Sequence, residues 1–217
     1  EKYDVIPIGI TEAGDWYRYC GDLEKLMDDT WAADPADLIP VAVSPNRSVH
    51  GILEFQTKHV PSAEGIRTRR IDFAFPVLHG KCGEDGTVQG VFELAGIPVI
   101  GCGTLSSALC MDKDRAHRLA EMAGIAVPKA VTIQRYEREN AAALTACLTY
   151  PLFVKPVRAG SSYGISRILG PNELPAALDL AFSHDSEVIA EENIEGFEVG
   201  CAVVGIEELF VGRVDEI

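Results

Sequence analysis

Lys155-Pro156-Val157-Arg158-Ala159-Gly160-Ser161-Ser162-Tyr163-Gly164-Ile165 lies between two apolar runs. Upstream, Tyr150-Pro151-Leu152-Phe153-Val154 has the apolar content of a buried strand; downstream, Ile165-Ser166-Arg167-Ile168-Leu169 alternates like a second one. The stretch therefore reads as the tip of a β-hairpin. Its glycines and serines give a backbone that can approach an anion closely and that offers N–H and hydroxyl donors, while Lys155 and Arg158 bring positive charge to its base. A phosphate-covering loop fits this composition. A plain exposed turn fits it too, because Gly and Ser are common in turns for their conformational freedom.

The same letters also match G-x-S-x-G, the nucleophile elbow of serine hydrolases, with Ser162 as the nucleophile. That motif requires a strand, a sharp turn and then a helix. Here no N-cap opens a helix after Gly164, and Gly170-Pro171 ends the following run, so a strand is expected and the elbow is disfavoured.

With 217 residues and 47% hydrophobic content the chain can bury a sizeable core in one large domain or two modest ones. No apolar run approaches the ~18 residues of a membrane span, and the chain opens on Glu1-Lys2-Tyr3-Asp4-Val5 without a signal-peptide pattern. A formal net charge of -14 argues against nucleic-acid or anionic-membrane partners, which need a broad basic surface. The six cysteines form no C-x-x-C, so they read as reduced cytosolic thiols rather than a zinc site or a disulfide framework.

Strands are expected over Tyr3 to Ile10, Leu38 to Val43 and Ile52 to Phe55, and Ile71 to Leu78 has the unbroken apolar character of a strand buried on both faces of a parallel sheet. It runs into His79-Gly80-Lys81-Cys82-Gly83-Glu84-Asp85-Gly86, followed by a helix with Val88, Val91, Phe92 and Ala95 on one face and Gly96 as its stop. Ligands favour such strand-to-helix loops in open α/β sheets. Capping explains Asp85 or Thr87; it does not explain His79 and Glu84 as well, and Lys81 lies between these two. One helix is expected from about Leu105 to Ala123, with Lys113 inside its apolar arc, where an ammonium either snorkels or meets a phosphate. Further helices are expected over Arg138 to Leu148 and from an Asn172 N-cap to His184, and strands over Glu187 to Glu191, Val199 to Val204 and Leu209 to Val214. Glu191 to Glu198 is rich in acidic and amide groups, either a solvated turn or acceptors for an adenosine amine and ribose hydroxyls.

In this order, His79-Gly80-Lys81-x-Gly83-Glu84-Asp85-Gly86, Ser106-Ser107-Ala108-x-Cys110-Met111-Asp112-Lys113, Phe153-Val154-Lys155-Pro156 and Phe197-Glu198-Val199-Gly200-Cys201-Ala202-Val203 resemble the ATP-grasp fold. Within it they are similar to the D-alanine:D-alanine ligase family, and most to its vancomycin-resistance branch, D-alanine:D-serine ligases of the VanG type. The resemblance implies an α/β chain of three parts: an incomplete N-terminal parallel-sheet domain (1–101), a central α+β ATP-grasp subdomain (102–190) and the start of a third, antiparallel subdomain (191–217). It implies a cytoplasmic, homodimeric enzyme of peptidoglycan precursor synthesis and vancomycin resistance. Such an enzyme uses ATP and Mg2+ to activate D-alanine as an acyl-phosphate, which the amine of a second D-amino acid attacks.

The same resemblance implies the site residues. Lys113 and Lys155 contact the nucleotide phosphates, Gly160, Ser161, Ser162 and Gly164 close over them, and Ser161 also orients substrate and catalytic groups. Glu191 lies at the adenine end and Glu198 at the ribose, and Glu192 also binds ATP. His79, Lys81 and Glu84 belong to the first-substrate site. Family members also carry an earlier Gly/Ser loop, a later mobile loop, an arginine and the magnesium ligands, none of which matches a segment here; the metal ligands are expected beyond Ile217. On that basis the chain reads as a fragment trimmed at both ends, with little turnover of its own.

Overall fold

The structure is a computed structural model that describes residues 2–55 and 65–217. The chain divides into two compact units, Glu1–Met111 and Asp112–Ile217.

In the first unit, β1 (Ile8–Ile10), β2 (Trp16–Tyr19), β3 (Leu38–Val43), β4 (Gly51–Phe55) and β5 (Ile66–Arg70) form one sheet in sequence order, and a short helix, α1 (Glu24–Met27), sits in the β2–β3 connection. Every pairing in this sheet is antiparallel, which corrects the parallel sheet expected of this half. The reason is connection length. Residues 11–15 join β1 to β2 and 44–50 join β3 to β4, far short of the dozen or more residues that a parallel crossover needs. Among the described residues the parallel pairing is confined to a bridge between Ala74 and Val99.

Ile71 to Leu78, expected as a strand buried on both faces, is extended chain with that one bridge. Ile71, Ala74 and Leu78 turn inward, while Phe73, Phe75 and Val77 are exposed. The inward side packs on α2 (Thr87–Ala95), whose Val88, Phe92 and Ala95 bury with Ile97 against Trp16 and Val43. Val91, expected on the same face, is exposed, and Gln89 takes its place. Gly96 ends the helix in the left-handed conformation, and Arg47 donates to the last carbonyls at Glu93 and Leu94 (both 3.3 Å).

The helix expected over Leu105 to Ala123 is two helices, α3 (Thr104–Met111) and α4 (Lys113–Met122). Asp112 breaks it: the residue is extended and its carboxylate accepts the Arg115 N–H at 3.0 Å, an N-cap that starts α4 afresh. Lys113 is therefore the first residue of a helix rather than a mid-helix one.

The second unit is built on a four-stranded antiparallel sheet of β6 (Ala130–Gln134), β7 (Leu152–Pro156), β8 (Ser166–Ile168) and β9 (Glu187–Glu192), in the order β6-β9-β7-β8. The helix expected over Arg138 to Leu148 is interrupted: only α5 (Ala141–Leu144) is α-helical, between two 3-10 stretches. A 3-10 turn at Pro171–Glu173 precedes α6 (Leu174–His184), so Asn172 is not the cap of that helix. Leu174, Ala177, Leu178, Ala181 and Phe182 form the buried stripe of α6 and pack with Leu152, Val154, Val188 and Ala190 from one face of the sheet. Strand alternation then sends Phe153, Lys155, Ile189 and Glu191 to the opposite face. There Thr132 of β6 donates to Asp114 of α4 at 2.8 Å, fixing α4 beside β6 and β9. β10 (Val199–Gly205) and β11 (Leu209–Glu216) form a separate antiparallel ribbon, exposed along nearly all its length.

Candidate active site

The polar group on the α4 face of the second unit's sheet is assembled by three elements. β7 supplies Lys155, β9 supplies Glu191, and the first turn of α4 supplies Lys113 and, one turn later, His117. Lys155 and Glu191 form an ion pair across the β7–β9 ladder, through Glu191 Oε1. Glu191 is only 7% exposed, and its other oxygen, Oε2, is buried without a hydrogen-bond partner among the described residues. His117 Nε2 stands 3.9 Å from that oxygen, and His117 Nδ1 is likewise buried and unpartnered. Burial without compensation is costly for such groups, so this cluster is organised for a further partner.

Lys113 Nζ donates to the Ala159 carbonyl at 2.7 Å, with Val157 O at 3.5 Å, which ties α4 to the root of the hairpin. Burial, and then the neighbouring charge of Lys155, lowers the Lys113 pKa from the usual lysine value. Two ammonium groups thus converge at the foot of the loop, a cationic arrangement that an anion would relieve.

The loop is the tip of a true hairpin. Its second arm is β8, a strand antiparallel to β7, so the strand-turn-helix context of a nucleophile elbow at Ser162 is not formed. Ser161 and Ser162 are exposed and both left-handed, with φ of 51° and 58°. Gly164 (φ 72°) returns the chain where a Cβ would stand 2.6 Å from His184 Cδ2 and 2.9 Å from Pro156 Cγ, so only glycine fits without displacement. Arg158 does not share the tip's freedom. Asp185 accepts its N–H at 2.8 Å and its guanidinium at 2.7 and 3.1 Å, and Glu187 lies 3.3 Å away. Burial would raise the Asp185 pKa, but the hydrogen bonds from Arg158 and from the Glu187 N–H hold it below the usual carboxylate value.

Glu192, the next residue of β9, takes the opposite face of the strand and accepts the Thr149 N–H at 2.8 Å; its carboxylate is not brought to the Lys155–Glu191 group. Glu198 is exposed just before β10, and its carbonyl accepts the Ile217 N–H.

In the first unit, His79, Lys81 and Glu84 are exposed on the loop that enters α2. Glu84 folds back to accept the Gly80 N–H at 2.5 Å, and Asp85 accepts the N–H groups of Cys82 (2.8 Å) and Thr87 (3.0 Å). Burial would raise the Asp85 pKa; these bonds hold it below the usual value. Asp85 therefore shapes the loop, and His79 and Lys81 project from it. Gly86 is left-handed (φ 89°), and a Cβ there would lie 2.5 Å from Thr104 O.

The sequence reading does not single out His117 or Asp185. The i, i+4 spacing of Lys113 and His117 is a signal for the first, since it stacks the two on one helix face. Asp185 carries no such signal, because its partner Arg158 is distant in sequence. Among the described residues no group of three or more His, Cys, Asp or Glu is placed to hold a metal ion. An adenine nucleotide does fit: two lysines for phosphate and a buried carboxylate oxygen awaiting a donor.

Comparison with known proteins accords with this geometry. The family model described as D-ala D-ala ligase N-terminus matches residues 1–102, and that described as D-ala D-ala ligase C-terminus matches residues 119–217. The chain is 46% identical over its whole length to the vancomycin B-type resistance protein VanB of Enterococcus faecalis and 43% identical to a putative D-alanine–D-lactate ligase of Streptomyces coelicolor, covering 58% of each. Among solved structures, the VanG D-Ala:D-Ser ligase of Enterococcus faecalis superposes with a TM-score of 0.88 at 61% identity, over 99% of this chain and 60% of that one. The chain thus spans about three-fifths of the length of these relatives. Its fold is the mixed α/β ATP-grasp fold of these enzymes, and the chain belongs to the D-alanine:D-alanine ligase family.

Proposed function

We propose that the whole protein is an ATP-dependent ligase that joins D-alanine to a second D-amino acid, D-serine first and D-alanine next, in cytoplasmic peptidoglycan precursor synthesis. Vancomycin resistance follows from that reading, as does a homodimeric state. The observation that carries it is the convergence of Lys113, Lys155 and the buried, half-paired Glu191 beneath a Gly/Ser hairpin tip. Two ammonium groups offset charge on the phosphates, and the donors of the tip close over them without covalent chemistry of their own. Ser161, at the tip, orients substrate and catalytic groups. Glu191 Oε2 accepts the adenine amine, and Glu198, in the segment leading into β10, receives the ribose hydroxyls. His79 and Lys81 project from the α2 loop toward the first D-alanine, with Glu84 holding the loop's shape.

Magnesium, when bound, would supply neutralisation of charge on the nucleotide phosphates; no residue of this chain is assigned to it. The preference for D-serine rests on the likeness to a structure titled as a D-Ala:D-Ser ligase, whereas a relative named for D-lactate is also similar. The test is product analysis of the whole protein with ATP, D-alanine and, in turn, D-serine, D-alanine and D-lactate. D-alanyl-D-serine with equimolar ADP is expected. ATP consumption only with L-amino acids would overturn the substrate assignment, and no consumption with any acceptor would favour a nucleotide-binding protein without ligase activity.

A further inference from the structure

We propose that His117 is a positioning residue for Glu191: it holds the carboxylate ready to accept the amine of a bound base when Lys155 is drawn from Glu191 to phosphate. The inference rests on the nucleotide reading above. Among the described residues the Glu191 carboxylate has one hydrogen-bond partner, Lys155, and that partner is also a cation the phosphates require. Lys155 cannot saturate both. Once its ammonium moves toward phosphate, a carboxylate buried on the inner strand β9 would lose its only compensation, and a buried charge without a partner is strongly disfavoured.

The group in reserve is His117. Its Nε2 is 3.9 Å from Glu191 Oε2, about 1 Å longer than an ordinary hydrogen bond and reachable by a small rotation of the ring. Lys113, the remaining cation of the cluster, is held by the Ala159 carbonyl. Among the described residues the His117 ring is not otherwise occupied, since its Nδ1 is buried with no partner there; a histidine kept only for packing would ordinarily have that nitrogen satisfied. A donor at Nε2 would leave one lone-pair direction of Oε2 to the ligand, fixing the carboxylate as an acceptor. Such a site takes a base with an exocyclic amine and rejects one with a carbonyl at the same position, because two acceptors would then face each other.

The test is calorimetric titration of the whole protein and its His117→Ala and His117→Gln variants with ATP, ITP and inorganic tripolyphosphate, with melting curves confirming that each variant is folded. ITP carries a carbonyl where ATP carries the amine, and tripolyphosphate has no base. His117→Ala is expected to weaken ATP about tenfold, the loss of one hydrogen bond to a charged group, while ITP and tripolyphosphate change by less than about twofold. His117→Gln, which keeps a donor, is expected to recover most of the ATP affinity and of the ATP-to-ITP preference. Equal weakening of all three ligands would show a merely structural histidine and overturn the proposal, as would unchanged ATP binding in both variants. Failure of the unsubstituted whole protein to bind ATP would overturn the nucleotide reading itself, and this inference with it.

Discussion

Lys155 of β7 pairs with Glu191 of β9 on a diagonal of the ladder, two residues along from Phe153, the direct neighbour of Glu191. The pair fixes the ammonium at the root of the hairpin, where Lys113 also arrives. Arg158, three residues on, is directed to Asp185 and Glu187 instead. The two cations should therefore separate experimentally. Lys155→Ala is expected to weaken ATP binding by roughly 1.5 to 3 kcal/mol, the loss of a charge-assisted contact. Arg158→Ala should leave ATP affinity within about twofold and lower the melting temperature, since it frees a partly buried Asp185. Titration calorimetry, at a temperature where circular dichroism shows both variants folded, decides it. Equal ATP affinity in the unsubstituted chain and Lys155→Ala would make this lysine structural.

Gly164→Ala tests the shape of the tip. A left-handed alanine costs about 1 to 2 kcal/mol, and its methyl group would press on His184 and Pro156. A drop in melting temperature of about 2 to 8 °C is expected for a chain of this size. Ser162→Ala, at an exposed position, should melt within about 0.5 kcal/mol of the unsubstituted chain. A Gly164→Ala chain that melts unchanged would mean that the hairpin does not return as described.

Asp185 gives the second unit a defined pH dependence. Its folded-state pKa lies below the ordinary carboxylate value, so it binds protons less readily when folded than when unfolded. Its stabilisation is fully present above the unfolded value of about 3.9 and is lost as pH falls through the lower folded value. Asp185→Asn should therefore melt well below the unsubstituted chain at pH 7, with the gap narrowing below about pH 4. Thermal melts at pH 7, 4 and 3 measure it; a gap that stays constant over that range would show that the Arg158–Asp185 contact carries no net ionic stabilisation.

Much of the second unit was legible in the sequence because its signals are local. The hairpin needs only two apolar runs and the glycines between them, and the strand expected after Gly164 already disfavoured the elbow context. The first unit was less legible. Ile71 to Leu78 is apolar enough for a doubly buried strand, but composition cannot say whether neighbours exist, and Phe73, Phe75 and Val77 are exposed. Asp112 was hidden for another reason: the apolar periodicity of 105–123 runs on through it, while the break comes from its carboxylate capping Arg115. Lys113 and Lys155 were legible as phosphate candidates, but the pairing of Lys155 with Glu191 and the nearness of His117 depend on strand register and helix placement, which the sequence does not encode locally.

The location of the nucleotide site is tested most directly by amide hydrogen exchange on the 217-residue chain with and without saturating ATP. The account predicts slowed exchange at residues 157–164, at the start of α4 around Lys113 to His117, and from Glu191 to Glu198, because these segments carry the phosphate and base contacts. Protection confined to the 79–86 loop of the first unit, or none in the second unit under conditions where calorimetry shows ATP bound, would contradict it.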